Sequence, residues 1–342
     1  MRFSNLLAVG SLLTVSALTA GAAQAGETFN AVKAKGFVQC GANNSGLPGF
    51  AVVDDAGKWS GLDIDVCRAV AAAVFGDATK VKYTPLSAAE RFTALQSKEV
   101  DILSRNSTWT LSRDTALGLD FVAINYYDGQ GFMVPKSLGV ESALKLDGAS
   151  VCVQSGTTTE LNLADYFRAN NLKYEPVVFG NNDEVIAAFQ AGRCDVFTTD
   201  QSGLYSSRTK FEKPDDWVVL PEVISKEPLG PAVRHGDSEW ADVVRWAFYA
   251  MVEGEDLGVT SANVDEMKNS TNPSIRRLLG TEGELGKGVG LPNDFAAVVI
   301  KQVGNYGESF ERNVGKSTPL KIERGLNAQW NKGGLMYSPP FR

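Results

Sequence analysis

The sequence of 342 residues predicts an α/β protein with two lobes, each built on a parallel sheet and joined to the other by two chain crossings. Strand-like and helix-like segments alternate between about residues 37 and 104, and the same order returns between 149 and 200. Such alternation is typical of right-handed parallel βαβ units. A weak internal similarity between 94–106 ("ALQSKEVDILSRN") and 188–200 ("AFQAGRCDVFTTD") favours two lobes of like architecture, although two βαβ units that converge on one solution would also produce it.

The first 25 residues predict a cleavable export signal that is not part of the fold. Arg2 precedes a short apolar run, and "AAQA" supplies a cleavage site after Ala25. The run is too short and too rich in small residues for a membrane-spanning helix, and the cleavage site lacks the Cys of a lipoprotein. We therefore expect an exported protein that is not embedded in a membrane. Loss of Arg2 makes its charge one unit more negative than the −7 of the whole chain.

The first lobe is predicted from three strands and two helices in alternation. A helix with apolar residues at helical spacing follows the first strand and should end at Gly76. A second helix begins near Ser87, which forms a possible capping box with Glu90. In chain order the five segments are "GFVQCGA", "GLDIDVCRAVAAAVFG", "KVKYTPL", "SAAERFTALQSKEV" and "VDILS".

The second lobe repeats this order between two crossings. The extended segments 126–136 and 223–237 predict the crossings, with hinges at 129–132 and 225–231, and two crossings make a hinged cleft. We expect one lobe from 26–129 and 230–342, and the other from 130–229. The tail from about residue 269 contains short helical pieces and aromatic residues, and we expect it to pack on the first lobe. The second-lobe segments are "ASVCVQSG", "TTTELNLADYFRAN", "KYEPVVFG", "NNDEVIAAFQAG" and "CDVFTTD".

Charge and residue usage exclude several classes of function. A net charge of −7 with no basic run disfavours a nucleic-acid partner. The single His, His235, lies in a predicted strand end and turn, so we expect it on the surface and not in a nucleophilic triad. "VGKST" at 314–318 lacks the first Gly of a phosphate loop, because Phe310 occupies that position.

The four cysteines predict disulfides, since an exported protein folds in an oxidising compartment. Three connectivities are possible, and their order in the chain favours Cys40 with Cys67 and Cys152 with Cys194. In the chain-entropy model each loop would contribute roughly 3–4 kcal/mol. A zinc site is the alternative, but the chain lacks a C-x-x-C spacing.

Polar residues follow the predicted central strands of both lobes, where open α/β sheets bind ligands. "NSTWT" ends the third strand of the first lobe, and Asp200 ends the corresponding strand of the second. "SGTTTE" at 155–160 begins a helix, whose free N–H groups suit an anion. Arg113 offers a planar fork for a carboxylate. Together these groups predict a trap for a zwitterion, with Thr108 serving either end. The alternatives are a surface ion pair of Arg113 with its neighbour Asp114, and a helix-capping role for Asp200.

The sequence resembles a known protein family along essentially all of the predicted mature chain. It is similar to the periplasmic amino-acid-binding proteins of ABC transporters, in extracellular solute-binding protein family 3, and within them to the general L-amino-acid-binding subgroup. The similarity rests on 47–77, 90–114, 120–134, 155–165 and 192–204 together with the long tail. These segments include "ERFTALQSKEVDILSRNSTWTLSRD", "SGTTTELNLAD" and "GRCDVFTTDQSGL".

The resemblance implies a type II periplasmic binding protein, acting as a monomer without a cofactor or metal. Its partners would be an L-amino acid and an inner-membrane ABC permease. Polar and acidic amino acids (Glu, Gln, Asp and Asn) are the ligands expected first.

The resemblance also implies a role for each candidate binding residue. Arg113 and the N–H of Thr158 would hold the α-carboxylate, and Asp200 the α-ammonium together with Thr108 and Asn106. Three further candidates would line the pocket: Phe50, in the 48–50 turn of the first lobe, and Arg91 and Gln154, which would face the ligand side chain. Some relatives carry Lys in place of Gln154, which argues against a strict acidic specificity. For Trp109 a position in the cleft and one in the core are equally open.

The sequence leaves two alternatives to a transport receptor. An exported enzyme of the same fold, such as a dehydratase of a small carboxylic acid, needs an acid or base in the cleft. Asp200 is the candidate for that role, although an ammonium group explains it better. A sensory module would need a membrane segment or a signalling domain, and we expect neither from this sequence.

Overall fold

A computed structural model describes residues 26–342, so the predicted export signal lies outside the described residues. Within them the structure has fourteen strands and thirteen α-helices. In chain order the strands are β1 Val38–Asn43, β2 Val52–Val53, β3 Trp59–Ser60, β4 Val81–Leu86, β5 Ile102–Leu103, β6 Leu119–Phe121, β7 Tyr126–Asp128, β8 Gln130–Pro135, β9 Ala149–Gln154, β10 Tyr174–Phe179, β11 Val196–Asp200, β12 Trp217–Val219, β13 Glu227–Leu229 and β14 Ala232–Arg234.

The helices alternate with these strands and then form the C-terminal part of the chain. In order they are α1 Glu27–Lys35, α2 Leu62–Phe75, α3 Arg91–Gln96, α4 Leu111–Thr115, α5 Thr158–Ala169, α6 Asn182–Gln190, α7 Gln201–Arg208, α8 Ser238–Asp256, α9 Val264–Met267, α10 Pro273–Leu278, α11 Leu285–Gly288, α12 Phe295–Val303 and α13 Tyr306–Asn313. Of the helices in this part of the chain, none has the length and apolarity needed to cross a membrane.

Two five-stranded sheets form the cores of the two lobes, with strand orders β4-β1-β5-β14-β6 and β10-β9-β11-β8-β12. In each sheet the predicted βαβ strands are parallel, β1 with β4 and β5, and β9 with β10 and β11. The two other strands of each sheet pair in antiparallel fashion. β8 and β14 are antiparallel because each enters its sheet directly from a crossing, with no helix to reverse the chain.

The crossings themselves form a small third sheet. β7 and β13 pair in antiparallel fashion, with Asp128 opposite Glu227 and Tyr126 opposite Leu229. Gly129, between β7 and β8, allows the two crossings to lie close together, since a Cβ there would come within 2.8 Å of the Ser225 carbonyl oxygen. The lobe boundaries that we expect from the sequence fall at the ends of these two strands.

The tail packs into the core of the first lobe. α12 lies against α2 and α8, and Phe248 of α8 contacts Tyr306 of α13 edge to face. A later tail segment reaches the first crossing, because the Asn327 side chain exchanges two hydrogen bonds with the backbone of Tyr127, at 2.7 and 3.1 Å. The tail therefore contacts α2, α8 and β7, and we propose that it belongs to the first lobe.

The end of α2 and the start of α3 were both predicted from a few local residues. α2 ends at Gly76, which adopts the left-handed conformation at φ 70° and donates its N–H to the Ala72 carbonyl. Ser87 and Glu90 exchange the two hydrogen bonds of a capping box, both at 3.2 Å. They hold a turn, however, so that α3 begins only at Arg91 and is shorter than predicted.

Both disulfides of the favoured connectivity are present, with Cα–Cα distances of 6.3 Å for Cys40–Cys67 and 5.6 Å for Cys152–Cys194. The first joins β1 to α2, and the second joins β9 to the turn before β11.

Candidate functional site

A pocket between the lobes lies at the carboxyl ends of β1, β5, β9 and β11, the position predicted from the strand order. Six of the eight predicted ligand-binding residues line it: Arg91, Asn106, Thr108, Gln154, Thr158 and Asp200. The lining is completed by Asn43, Leu47, Arg105, Thr157, Thr159, Asn182, Thr199 and Gly203.

The first lobe contributes three buried arginines to this region, Arg91, Arg105 and Arg113, with exposures of 3, 3 and 8%. Burial lowers the pKa of all three, that of Arg105 to about 10 and that of Arg91 well below its usual value. The charges of Arg105 and Arg113 lower the pKa of Arg91 further. Within residues 26–342 the buried Nε of Arg91 has no hydrogen-bond partner. The charges of Asp63, Asp200 and Glu227 act in the opposite direction on this cluster, but the hydrogen-bonding capacity of Arg91 is not fully used.

Arg113 lies behind the pocket lining. It belongs to α4, whose first N–H groups are capped by the Thr110 hydroxyl, which accepts from the Arg113 N–H at 3.2 Å. Its Nη1 donates to the Thr108 carbonyl at 2.9 Å, and its guanidinium lies over the Phe92 ring. Arg113 therefore holds the backbone of Thr108, and its charge acts just behind that residue.

The loop after β5 is held in an uncommon conformation by Asp63. Asn106 has φ 33°, a value that Asn tolerates better than most residues. Its N–H donates to Asp63 Oδ2 at 2.7 Å, and Asn125 Nδ2 donates to Asp63 Oδ1 at 2.9 Å. Asp63 lies in the first turn of α2 and is buried, which raises its pKa to about 6. One carboxylate thus ties the ligand-facing loop to α2 and to the segment before the hinge.

The second lobe presents the start of α5 to the pocket. Thr157 caps this helix by accepting from the Glu160 N–H, and the helix begins at Thr158. The N–H groups of a first helical turn have no partner within the helix and attract anions. The predicted anion-binding character of "SGTTTE" therefore fits its position.

Asp200 ends β11 on the same side of the pocket, 8% exposed. Burial raises its pKa well above the usual range, and the charges of Asp128 and Glu227 raise it further. Asp200 precedes α7 but makes no side-chain capping hydrogen bond there, which argues against the alternative that it is only a helix cap. A buried acid of this kind gains from a cation placed beside it.

Two residues at the site, Arg105 and Glu227, are not among those predicted from the sequence. Arg105 directly follows the predicted strand "VDILS", so the strand-end rule that selected Asn106 also applied to it. Glu227, 2% exposed, accepts hydrogen bonds from Thr108 of one lobe and from Thr158 and Asn162 of the other. Glu227 lies in the predicted return crossing, and that position could have identified it as a candidate. The residues that donate hydrogen bonds to it are distant in sequence, so no local pattern connects them.

The prediction for Phe50 is not supported by its position. Its ring is fully buried in the first-lobe core and packs edge to face on Tyr126, away from the pocket, where Leu47 of the preceding turn lies instead. An aromatic ring gains more from full burial against another ring than from a polar cleft. The sequence left open whether Trp109 lies in the cleft or in the core. In the structure it stacks on Phe121 and does not line the pocket.

The lobes meet along the rim of the pocket, so the structure is closed. Ser206 Oγ of α7 donates to the Pro48 carbonyl at 2.9 Å. Lys210 Nζ donates to the Ser45 carbonyl at 2.6 Å. These bonds join second-lobe side chains to a first-lobe turn that flanks the pocket.

Comparison with known proteins agrees with this architecture. Residues 38–259 match the bacterial extracellular solute-binding proteins, family 3. The chain is 64% identical over 341 residues to the general L-amino acid-binding periplasmic protein AapJ of Rhizobium johnstonii, which covers 99% of each chain. It is 61% identical to the glutamate/glutamine/aspartate/asparagine-binding protein BztA of Rhodobacter capsulatus, over 96% of this chain and 97% of that one.

A solved structure of a periplasmic binding protein is also similar to this chain. It is described as an ABC transporter / periplasmic binding protein from Brucella ovis with glutathione bound. It superposes with a TM-score of 0.91 at 63% sequence identity, and the match covers 92% of this chain and 99% of that one.

Proposed function

Because this chain belongs to the bacterial extracellular solute-binding proteins of family 3, we propose that it captures L-amino acids between its two lobes in the periplasm and delivers them to an inner-membrane ABC permease. The family and the close relatives are solute-binding receptors and not enzymes, so the dehydratase alternative is set aside.

One observation carries the proposal: groups of opposite charge face each other across the pocket. Arg91, Arg105 and Arg113 come from the first lobe, and Asp200 comes from the second. A free amino acid carries both charges on one carbon and satisfies both sides at once. Because the two sides lie on different lobes, the ligand stabilises the closed form over the open one, and the permease can then distinguish loaded from empty protein.

The residue roles in this proposal are those expected from the sequence. The N–H of Thr158 holds the α-carboxylate, which the charge of Arg113 beside Thr108 also attracts, while Asp200, Thr108 and Asn106 hold the α-ammonium. The ligand side chain extends toward Arg91, Arg105 and Gln154, which line the same pocket.

The positive charges of Arg91 and Arg105, which line the pocket, favour polar and acidic side chains, above all carboxylates. AapJ is a general L-amino acid-binding protein and BztA a glutamate/glutamine/aspartate/asparagine-binding protein, and these two relatives support a broad range that includes Glu, Gln, Asp and Asn. The glutathione in the related structure supports testing an extended ligand that carries a γ-glutamyl group.

Thermal shift tests this function. The mature protein is unfolded and refolded to remove bound ligand, and then melted with each of the twenty L-amino acids, with glutathione, and with D-glutamate as a stereochemical control. A ligand that binds the native state raises the melting temperature, by an amount set by its concentration relative to Kd. We expect the largest increases with Glu, Gln, Asp and Asn, and little with D-glutamate. The absence of a shift with every L-amino acid would refute the proposal.

A further inference from the structure

Glu227 joins both lobes at the back of the pocket without lining it. Its Oε2 accepts from the Thr108 hydroxyl at 2.6 Å and from the Thr158 hydroxyl at 2.9 Å. Its Oε1 accepts from Asn162 Nδ2 at 2.7 Å and from Ser225 Oγ at 2.6 Å. With four donors around it, this buried carboxylate acts only as an acceptor.

The consequence falls on the two threonines, which do line the pocket. A hydroxyl has one proton to donate and two lone pairs that accept. The protons of Thr108 and Thr158 both go to Glu227, so neither is available to the pocket or to the other hydroxyl, 3.4 Å away. Toward the ligand each threonine hydroxyl therefore presents lone pairs only.

These two acceptors share the pocket with Asp200. A primary ammonium group offers three donors and a positive charge. A hydroxyl in its place offers a single donor, which leaves buried acceptors without partners. Leaving a buried acceptor unpaired is costly. The threonine hydroxyls, which only accept, therefore disfavour a ligand with a hydroxyl in place of the ammonium group.

We propose that Glu227 is a positioning residue for ligand selection: by taking the protons of Thr108 and Thr158, it makes the pocket select an α-ammonium over an α-hydroxyl. This inference rests on the proposed function and assigns to it a chemical basis for rejecting 2-hydroxy acids.

The selection belongs to the closed state. Glu227 lies on the return crossing, Thr108 on the first lobe and Thr158 on the second, so all three meet only when the lobes come together. Opening of the cleft separates the two threonines, and the hydroxyl that leaves Glu227 regains a free proton. The pocket therefore discriminates between an α-ammonium and an α-hydroxyl as the lobes close on the ligand.

The experiment compares two ligands of nearly the same shape, L-glutamate and (S)-2-hydroxyglutarate, by calorimetric titration. The ratio of their dissociation constants is measured for wild type and for Glu227→Met, which keeps the side-chain length and removes the acceptor oxygens. Glu227→Ala repeats the test if the Met variant does not fold. Glu99→Gln removes one negative charge at an exposed position of the first lobe and is the matched control.

We expect wild type and Glu99→Gln to prefer glutamate equally, and the preference to fall by about tenfold or more in the Glu227 variants, because the hydroxyl protons become free to turn toward the ligand. If Glu227 only latches the lobes, both affinities fall by the same factor and the ratio is unchanged, which would overturn the inference. If wild type binds neither ligand nor any L-amino acid, the proposed function itself fails, and the two failures are thereby distinguished.

Discussion

Replacement of Arg91 by Met should stabilise the ligand-free protein and weaken the binding of acidic ligands. Arg91 is 3% exposed, and its buried Nε has no partner among the described residues. The neighbouring charges of Arg105 and Arg113 also disfavour its charged form. A buried donor without a partner costs about 1–3 kcal/mol, and Met of similar length fills the same space without a polar group.

The expected rise in melting temperature without ligand is roughly 1.5–4.5 °C, which is the effect of about 1–3 kcal/mol on a protein of this size. Loss of the charge should weaken L-glutamate binding by about 2–5 kcal/mol. At the lower end this is roughly a thirtyfold increase in Kd. L-alanine, which has no distal carboxylate, should lose much less affinity.

Differential scanning calorimetry and titration calorimetry measure the two effects separately. Arg168→Met is the matched control, because the Arg168 side chain is 79% exposed and lies on the second lobe. It should leave both quantities nearly unchanged. An Arg91→Met protein that melts earlier than wild type and binds glutamate equally well would refute the reasoning.

Three further outcomes are expected. Arg113→Ala should weaken amino-acid binding by about 2–5 kcal/mol in calorimetric titration, since it removes the buried positive charge behind Thr108; an effect no larger than that of exposed Arg193→Ala would contradict this. Burial raises the pKa of Asp200, so without a cation beside it the carboxyl takes up a proton at a higher pH than usual, and the ligand ammonium displaces that proton. Affinity should therefore rise as pH rises through that pKa, with proton release visible as a buffer-dependent enthalpy, and Asp200→Asn should abolish both effects. The double replacement of Cys152 and Cys194 by Ser, which opens a loop with a sequence separation of 42, should lower the unfolding free energy by about 4 kcal/mol in urea titration, and equal midpoints would argue against a stabilising bridge.

Much of the fold is determined by local pattern in the sequence. The apolar spacing of α2, the Gly76 stop and the strand–helix alternation depend on residues close in the chain, and so they can be read without tertiary contacts. The rule that ligands bind at the carboxyl ends of parallel strands then placed Thr108 and Asp200 at one pocket. The lengths of elements were less predictable, as the Ser87–Glu90 turn before α3 shows.

The tertiary structure alone decided which of the predicted residues line the pocket. Phe50 lies in the predicted turn, yet its ring turns into the core because Tyr126, far along the chain, completes an apolar site there. Glu227 acquires its role from Thr108 and Thr158, which are 119 and 69 residues away. Side-chain direction and hydrogen-bond polarity depend on groups that are brought together by folding within a lobe or by closure of the two lobes, and no periodicity along the chain encodes those contacts.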